Sequence, residues 1–466
     1  MSLRPSAIAA WFRGSLWPLP VVGILIAIGL GVGLPALDEL LEQPGGEHPL
    51  TFVFGGGPAA ARDVLAAIAG SLISVTGLTF SFTVVALQLS SSQHSPRLLQ
   101  TFVTDRVIQL TLAQLVATFV YALTVLRTVR TESATGGETA FVPRLSVTVA
   151  FLLTLISVVA LVLFLGHLAR SLRVETMYRD VHEEAGHTFA RELPEPGADA
   201  APAVELPPGT PAHLLARSSG FVTEVSPHRI VAAAAAADVV VLLAPRIGDS
   251  VVAATPIAHV WPRGRGAAPG LDDLEEAVGR CVQLKFERSP SRDIAYSLRK
   301  VVDIVIRALS PSTNDPTTAV HGLSHVSSLL GDLVTRPLAP LRWCDDDGVL
   351  RLVVPQWEVH DLLRLGLEEP VHFASGQPAA LRRIAALLRE LAWRAPRGRI
   401  DAELLAQLDR VVELAQESTS VEPSETGQWR QQVTDAMAGR WEPVVHGRLS
   451  STAARIGAGP PGGREP

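Results

Sequence analysis

Between Val64 and Pro96 no Asp, Glu, Lys or Arg occurs in 33 consecutive residues. Three more uncharged stretches lie close by: Leu16–Leu37, Val107–Leu126 and Leu145–Ala169. A bilayer's hydrocarbon core is about 30 Å thick and takes roughly 20 apolar residues per helix. Helices suit it because each satisfies its own backbone N–H and C=O groups. The pattern predicts an α-helical integral membrane domain of four transmembrane helices over residues 1–190, the last part being a helical extension beyond span four. The remaining chain reads as an α+β cytoplasmic region.

Loop charges set the expected orientation. Arg4, Arg13, Arg97, Arg106, Arg170, Arg173 and Arg179 fall on one side, and Arg62, Arg127, Arg130 and Arg144 on the other. The positive-inside bias places both termini in the cytoplasm. The first apolar run is about 22 residues long, is flanked by Arg4 and Arg13, ends in Leu34-Pro35-Ala36-Leu37 before an acidic segment, and reads as a retained span. The net charge of −6 is mild, and no basic block with interleaved aromatics occurs, so nucleic acid is not an expected partner. Cys281 and Cys344 are the two cysteines of the chain, which fits a reducing compartment rather than a disulfide framework.

Span two is the most polar span. At 100° per residue, Gly70, Ser74, Gly77, Ser81 and Gln88 share one stripe, with Thr76, Thr79 and Thr83 opposite. One reading is close helix packing through small residues and hydroxyls. The other is a wetted, pore-lining face with Gln88 near its mouth. The spans proper contain no ionisable residue of the Asp, Glu, Lys or Arg type, which argues against an ion-coupled pump.

Residues 191–212 are proline-rich and read as a linker or loop. Over 213–262, Phe221–Val225, Asp238–Leu243 and Ser250–Val252 read as short strands. Ser219-Gly220-Phe221-Val222 and Arg246-Ile247-Gly248-Asp249-Ser250-Val251-Val252 resemble the barrel-sandwich pattern of biotinyl and lipoyl carrier domains. Such domains need a lysine, and Lys285 and Lys300 both lie elsewhere. A small β-barrel-sandwich-like module without a prosthetic arm remains. Residues 271–418 read as an α+β domain with helical hairpins, and 450–466 as a disordered tail. Within that domain Ser289 and Pro290 open a helix carrying an apolar face from Ile294 to Leu309. Asp315 then caps a second helix with Pro316 at its first position.

This hairpin carries a family resemblance. Arg288, Asp293, Leu298-Arg299-Lys300-Val301-Val302-Asp303, Arg307-Ala308-Leu309-Ser310-Pro311 and Asn314-Asp315-Pro316-Thr317-Thr318 resemble the signature of the bacterial predicted-membrane-protein family called domain of unknown function 2254. The exit of span two, Gln88-Leu89-Ser90-Ser91-Ser92-Gln93 with Ser95-Pro96-Arg97, resembles the same family. The likeness runs over residues 10–415. Arg292 and Ser312-Thr313 depart from the family pattern. The resemblance implies this architecture and no activity.

No nucleophile elbow, Walker loop, Rossmann glycine set or cysteine pair occurs. The sequence therefore implies no enzyme, no catalytic residue, no cofactor and no metal. His321 and His325 stand four apart on a helix and read as a surface pair. The strongest site candidate is Asn314–Thr318, whose free helix N–H groups suit an anion, with Arg288 and Arg307 near enough in sequence to join it. Plain capping is the competing reading. Asp303 is expected to pair with Arg299 or Arg307. Two functions follow. One is an oligomeric channel- or transporter-like protein with a cytoplasmic regulatory domain. The alternative is a membrane-anchored sensor or scaffold binding a ligand or partner.

Overall fold

The computed structural model describes residues 17–41, 54–93, 105–130, 141–171, 173–199, 204–263, 271–418 and 420–441. Arg4, Arg13, Ser95, Pro96, Arg97 and the tail 450–466 lie outside the described residues. The chain forms two compact units. One comprises residues 1–186 and 299–318, and the other residues 187–298 and 319–466.

Four helices of the first unit are long and apolar enough to cross a membrane. They are α1 (Pro18–Leu41), α2 (Pro58–Gln93), α3 (Arg106–Leu126) and α4 (Arg144–Ser171). Lipid tails are as apolar as leucine, so such helices associate by close backbone approach and interhelical hydrogen bonds. Both devices are present. A Cβ on Gly23 would sit 3.2 Å from the Ala113 carbonyl, and one on Gly31 would sit 2.8 Å from Thr124 Cβ. Buried Ala27 lies between them. Small residues four apart thus seat α1 on α3. Gly29 and Gly33 face open space, so of the Gly29–Gly33 run only Gly31 packs.

Between α3 and α4 the contact is polar. Thr118 Oγ1 and Ser157 Oγ lie 3.0 Å apart, and Gln114 Nε2 donates to both, at 3.1 and 3.4 Å. From α2, Ala61, Leu65, Ile68 and Leu72 join Tyr121 and Val125 in the core of this unit. The span-two helix runs unbroken through Gln93, a length of about 54 Å at 1.5 Å per residue. Span four does not continue in the same way. It stops at Ser171, and α5 (Val174–Glu192) starts anew.

The second unit holds two sheets. The larger has the order β1-β5-β3-β8-β7, from Ala212–Leu215, Pro256–Pro262, Val239–Leu243, Leu350–Val354 and Leu341–Cys344. All its pairs are antiparallel except β3 with β8, where Val241 faces Leu352. The smaller has the order β4-β2-β6, from Ser250–Val251, Gly220–Val225 and Val282–Lys285. Among the described residues the strands close no barrel. The barrel-sandwich expectation missed that strands from 213–262 pair with β6 and β8, far along the chain. Local strand pattern says nothing of such distant partners.

Helix α6 (Pro227–Ala236) was also not anticipated. Its alanine run has the highest helix propensity of any residue type, and Pro227 takes the first turn, where no N–H is needed. Ile230 and Ala234 from α6 meet Leu214, Val241, Val260 and Leu352 in one core. Helix α7 (Leu271–Cys281) leads into β6.

Helix α8 (Ile294–Leu309) begins later than Ser289 and Pro290 suggest. Those two lie in an irregular stretch, and Asp293 is the cap, accepting from the Ala295 N–H at 3.1 Å. The expected apolar face is correct: Ile294, Leu298, Val301, Val302, Val305 and Leu309 are all buried. Helices α9 (Pro316–Leu333), α10 (Val359–Phe373), α11 (Pro378–Arg394), α12 (Asp401–Gln416) and α13 (Pro423–Met437) follow among the described residues.

Candidate functional site

Within the first unit the signature residues gather where α5 leaves span four. Buried Lys300 places its Nζ 2.8 and 3.1 Å from the two Glu184 carboxylate oxygens on α5. Six residues earlier on α5, buried Tyr178 donates its hydroxyl to the Thr318 carbonyl at 3.4 Å. Burial, with Asp315 and Glu175 adding to it, pushes the Tyr178 phenol well up. The phenol therefore serves as a donor. Asp303 pairs with Arg299 at 2.7 Å, one turn apart on α8. Arg307 stands exposed in the last turn of α8, where a cation favours the helix dipole.

The turn between α8 and α9 is tightly determined. The Ser310 carbonyl accepts from the Thr313 and Asn314 N–H groups, and the Ala308 carbonyl from Asp315 N–H at 2.8 Å. Asn314 adopts a left-handed φ of 46°, which asparagine tolerates better than most residues. Asp315 caps α9: its carboxylate accepts the Thr318 N–H at 3.0 Å and the Thr318 hydroxyl at 2.6 Å. Those bonds, the hydroxyl first, hold its carboxyl below the usual range. The N-terminus of α9 is thus occupied by its own cap, which supports the capping reading of Asn314–Thr318.

Arg288 belongs to the second unit. Its guanidinium holds Asp293 through Nε at 2.9 Å and Nη2 at 2.5 Å. Burial pushes the Asp293 carboxyl up, and Arg288 partly offsets it. The pair sits against Gly248, whose φ is 93°, and a Cβ there would lie 2.2 Å from Asp293 Oδ2. The loop around Gly248 is pinned on its other side. Arg246 bonds Asp249 at 3.2 Å, pairs with Asp361 and stacks 4.1 Å over the Trp357 ring. Trp357 donates to the Ile247 carbonyl at 3.3 Å. The carrier-like phrase 246–249 is thus a bracket for the signature Arg288–Asp293 pair.

On α2 the structure separates the two predicted faces. Thr79 and Thr83 are buried, while Gly70, Ser74, Gly77, Ser81 and Gln88 are all exposed. A Cβ on Gly70 or Gly77 would meet nothing. Ser74 returns its hydroxyl to the Gly70 carbonyl at 3.1 Å. Gln93 ends α2. His321 is exposed and His325 half-buried, with ring centroids 5.0 Å apart.

Several residues outside the sequence candidates hold the spans. Asp38, in the last turn of α1, accepts from the Leu145 and Ser146 N–H groups at the start of α4, each at 3.0 Å. At the other end of α4, His167 Nε2 lies 2.5 Å from Asp105 Oδ2. Asp105 was legible as a cap, standing just before an apolar run. Its second partner, 62 positions away, was not. Lys300, one of the two lysines, stands on the side of α8 away from its apolar face, so the periodicity did not point to it.

The described residues define a membrane protein with four candidate spans followed by a mixed helical and sheet region. Residues 13–390 match the family described as predicted membrane protein (DUF2254), and the chain belongs to that family. Uncharacterized proteins of Mycobacterium bovis and of Mycobacterium tuberculosis strain H37Rv are each 36% identical to it over 394 residues, covering 84% of this chain and 74% of theirs. An uncharacterized protein of the Oshkosh strain of M. tuberculosis matches to the same extent. No solved structure matches the chain.

Proposed function

We propose that the chain is an oligomeric, channel- or transporter-like protein of the bacterial inner membrane, regulated by its cytoplasmic part. One observation carries this reading: the polar stripe of α2 is turned away from its own unit. Gly70, Ser74, Gly77, Ser81 and Gln88 are exposed where a lone subunit would meet lipid. An amide in hydrocarbon has no hydrogen-bond partner and is costly there. A second copy of α2, or a central wetted path between copies, removes that cost. The open space over Gly70 and Gly77 suits close approach of another helix. No residue in this reading is catalytic.

A second reading keeps support from the same helix. The Ser74 hydroxyl is satisfied by its own backbone, so the spans also suit a pure anchor for a sensor or scaffold. Flux through proteoliposomes separates the two. Ion or solute flux that changes with Gln88→Leu supports the first reading. Its absence with every solute tried supports the second.

Both termini are cytoplasmic in this proposal. A cysteine at Gly57, which has open space for a side chain, then reacts with an impermeant thiol reagent on intact spheroplasts. A cysteine at Asp199 does not. The reverse pattern contradicts the topology.

A further inference from the structure

We propose that Asp105 and His167 form a proton-binding clasp between spans three and four, set where the signature hairpin meets the membrane unit. The clasp itself is independent of the oligomer reading, and only its regulatory consequence rests on that reading. Asp105 serves two helices at once. Its Oδ1 accepts the Val107 N–H at 2.8 Å and the Ile108 N–H at 3.5 Å, capping α3. Its Oδ2 lies 2.5 Å from His167 Nε2 near the end of α4. The Ser171 hydroxyl stands 3.3 Å from the same nitrogen and bonds the His167 carbonyl at 3.0 Å. Neither member is sealed off: His167 is 29% and Asp105 18% exposed in their side chains, near the end of α4 and just before α3.

The charges around the pair come from three elements. Asp105 belongs to the start of α3, and Arg170 to the last turn of α4. From α5 comes Asp180, on which Asp105 and His167 both act, with Arg179 and Glu183 as its own neighbours. Burial and Glu183 push the Asp180 carboxyl up; Asp105 acts in the same direction, and Arg179 and His167 oppose it. A proton added to His167 sits beside the Asp105 carboxylate. It turns the Nε2–H···Oδ2 bond into an ion pair, and charge-assisted bonds are about twice as strong as neutral ones. Imidazole is the ordinary side chain that titrates within the physiological range.

The mechanical consequence follows from position. Span four ends at Ser171, just beyond the clasp, and α5 begins at Val174. Helix α5 then carries Tyr178 and Glu184, which hold Thr318 and Lys300 of the signature hairpin. A tighter clasp at lower pH fixes the foot of α4 to α3 and steadies the helix that the hairpin grips. A looser clasp at higher pH frees both. The clasp reads cytoplasmic pH into the arrangement of the spans, without moving protons across them.

Distance measurement by electron paramagnetic resonance tests this on the full-length protein in lipid nanodiscs. Spin labels go on Leu110→Cys and Ala169→Cys, both exposed, in a background with Cys281→Ala and Cys344→Ser. The distance distribution is expected to be narrower at about pH 6 than at about pH 8.5. His167→Gln keeps an N–H donor without titrating, and Asp105→Asn still caps α3. Both are expected to abolish the pH response. An unresponsive wild type, or an undiminished response in His167→Gln, overturns the clasp. Should a variant fail to fold, nitrogen NMR of histidine-labelled wild type decides. His167 must titrate between those pH values, and an imidazole that stays in one state overturns the proposal. Native mass spectrometry of the same samples reports the oligomer separately, so the two ideas fail independently.

Discussion

Asp38 caps a helix to which it does not belong. Its carboxylate, in the last turn of α1, takes the Ser146 N–H at 3.0 Å and the Ser146 hydroxyl at 2.7 Å at the start of α4. Tyr121 on α3 closes the same corner, donating to the Ser146 carbonyl at 3.1 Å. Three spans therefore meet at one residue. Asp38→Ala is expected to destabilise the membrane unit by about 1–3 kcal/mol, the usual cost of stranding buried donors. Asp38→Asn should lose less, since an amide oxygen still accepts. Unfolding titrations in mixed detergent micelles measure the order of the two variants, and equal losses contradict the capping role.

The glycines of α1 divide into two classes. Gly31→Leu is expected to separate α1 from α3, because even a Cβ would lie 2.8 Å from Thr124. Overpacking of that kind costs about 1–3 kcal/mol. Gly29→Leu and Gly33→Leu, which face open space, should leave the same unfolding midpoint. A Gly29 variant as damaging as the Gly31 variant would count against this packing.

Gly248→Ala is expected to break the bracket around Arg288 and Asp293. The new methyl would collide with Asp293 Oδ2, and the φ of 93° disfavours any side chain. Strained backbone of this sort costs about 1–3 kcal/mol before the lost ion pair is counted. Thermal melting of the full chain followed by circular dichroism checks this. An unchanged melt would show that the loop is free to move.

Asp315 has a defined acid dependence. Its folded carboxyl lies below the ordinary range because Thr318 donates to the charged form. A depressed carboxyl stabilises the fold at pH above its unfolded value, about 3.9, and that contribution is lost as pH falls through the folded value. Asp315→Ala should cost about 1 kcal/mol near neutral pH, and Asp315→Asn very little. Asp315→Asn should also remove this part of the acid sensitivity. If it instead impairs transport or assembly while melting like wild type, Asp315 does more than cap.

Much of this architecture is written in local pattern. The four spans follow from charge-free runs, and the start of α9 from Asp315-Pro316. Ser289-Pro290 looked like an equally good helix start. It lost to Asp293, whose carboxylate both caps α8 and holds Arg288. The run of alanines in α6 was obscured by the valine-rich strands beside it. Of the candidate site, Asp303 with Arg299 was legible because one helical turn separates them. Asp38 with Ser146, Lys300 with Glu184 and Arg246 with Asp361 were not. Each joins positions more than 100 residues apart, and no periodicity reports such a meeting.

The central claim is that the polar face of α2 meets another copy of the chain. Bifunctional thiol cross-linking in native membrane vesicles tests it most directly, on variants that carry one cysteine each, with Cys281 and Cys344 replaced. Ser81→Cys, on the exposed stripe, is expected to give cross-linked dimers or larger species. Thr83→Cys, buried within its own unit, is expected to give none. Monomer alone from Ser81→Cys, with native mass spectrometry also finding single chains, would contradict the account.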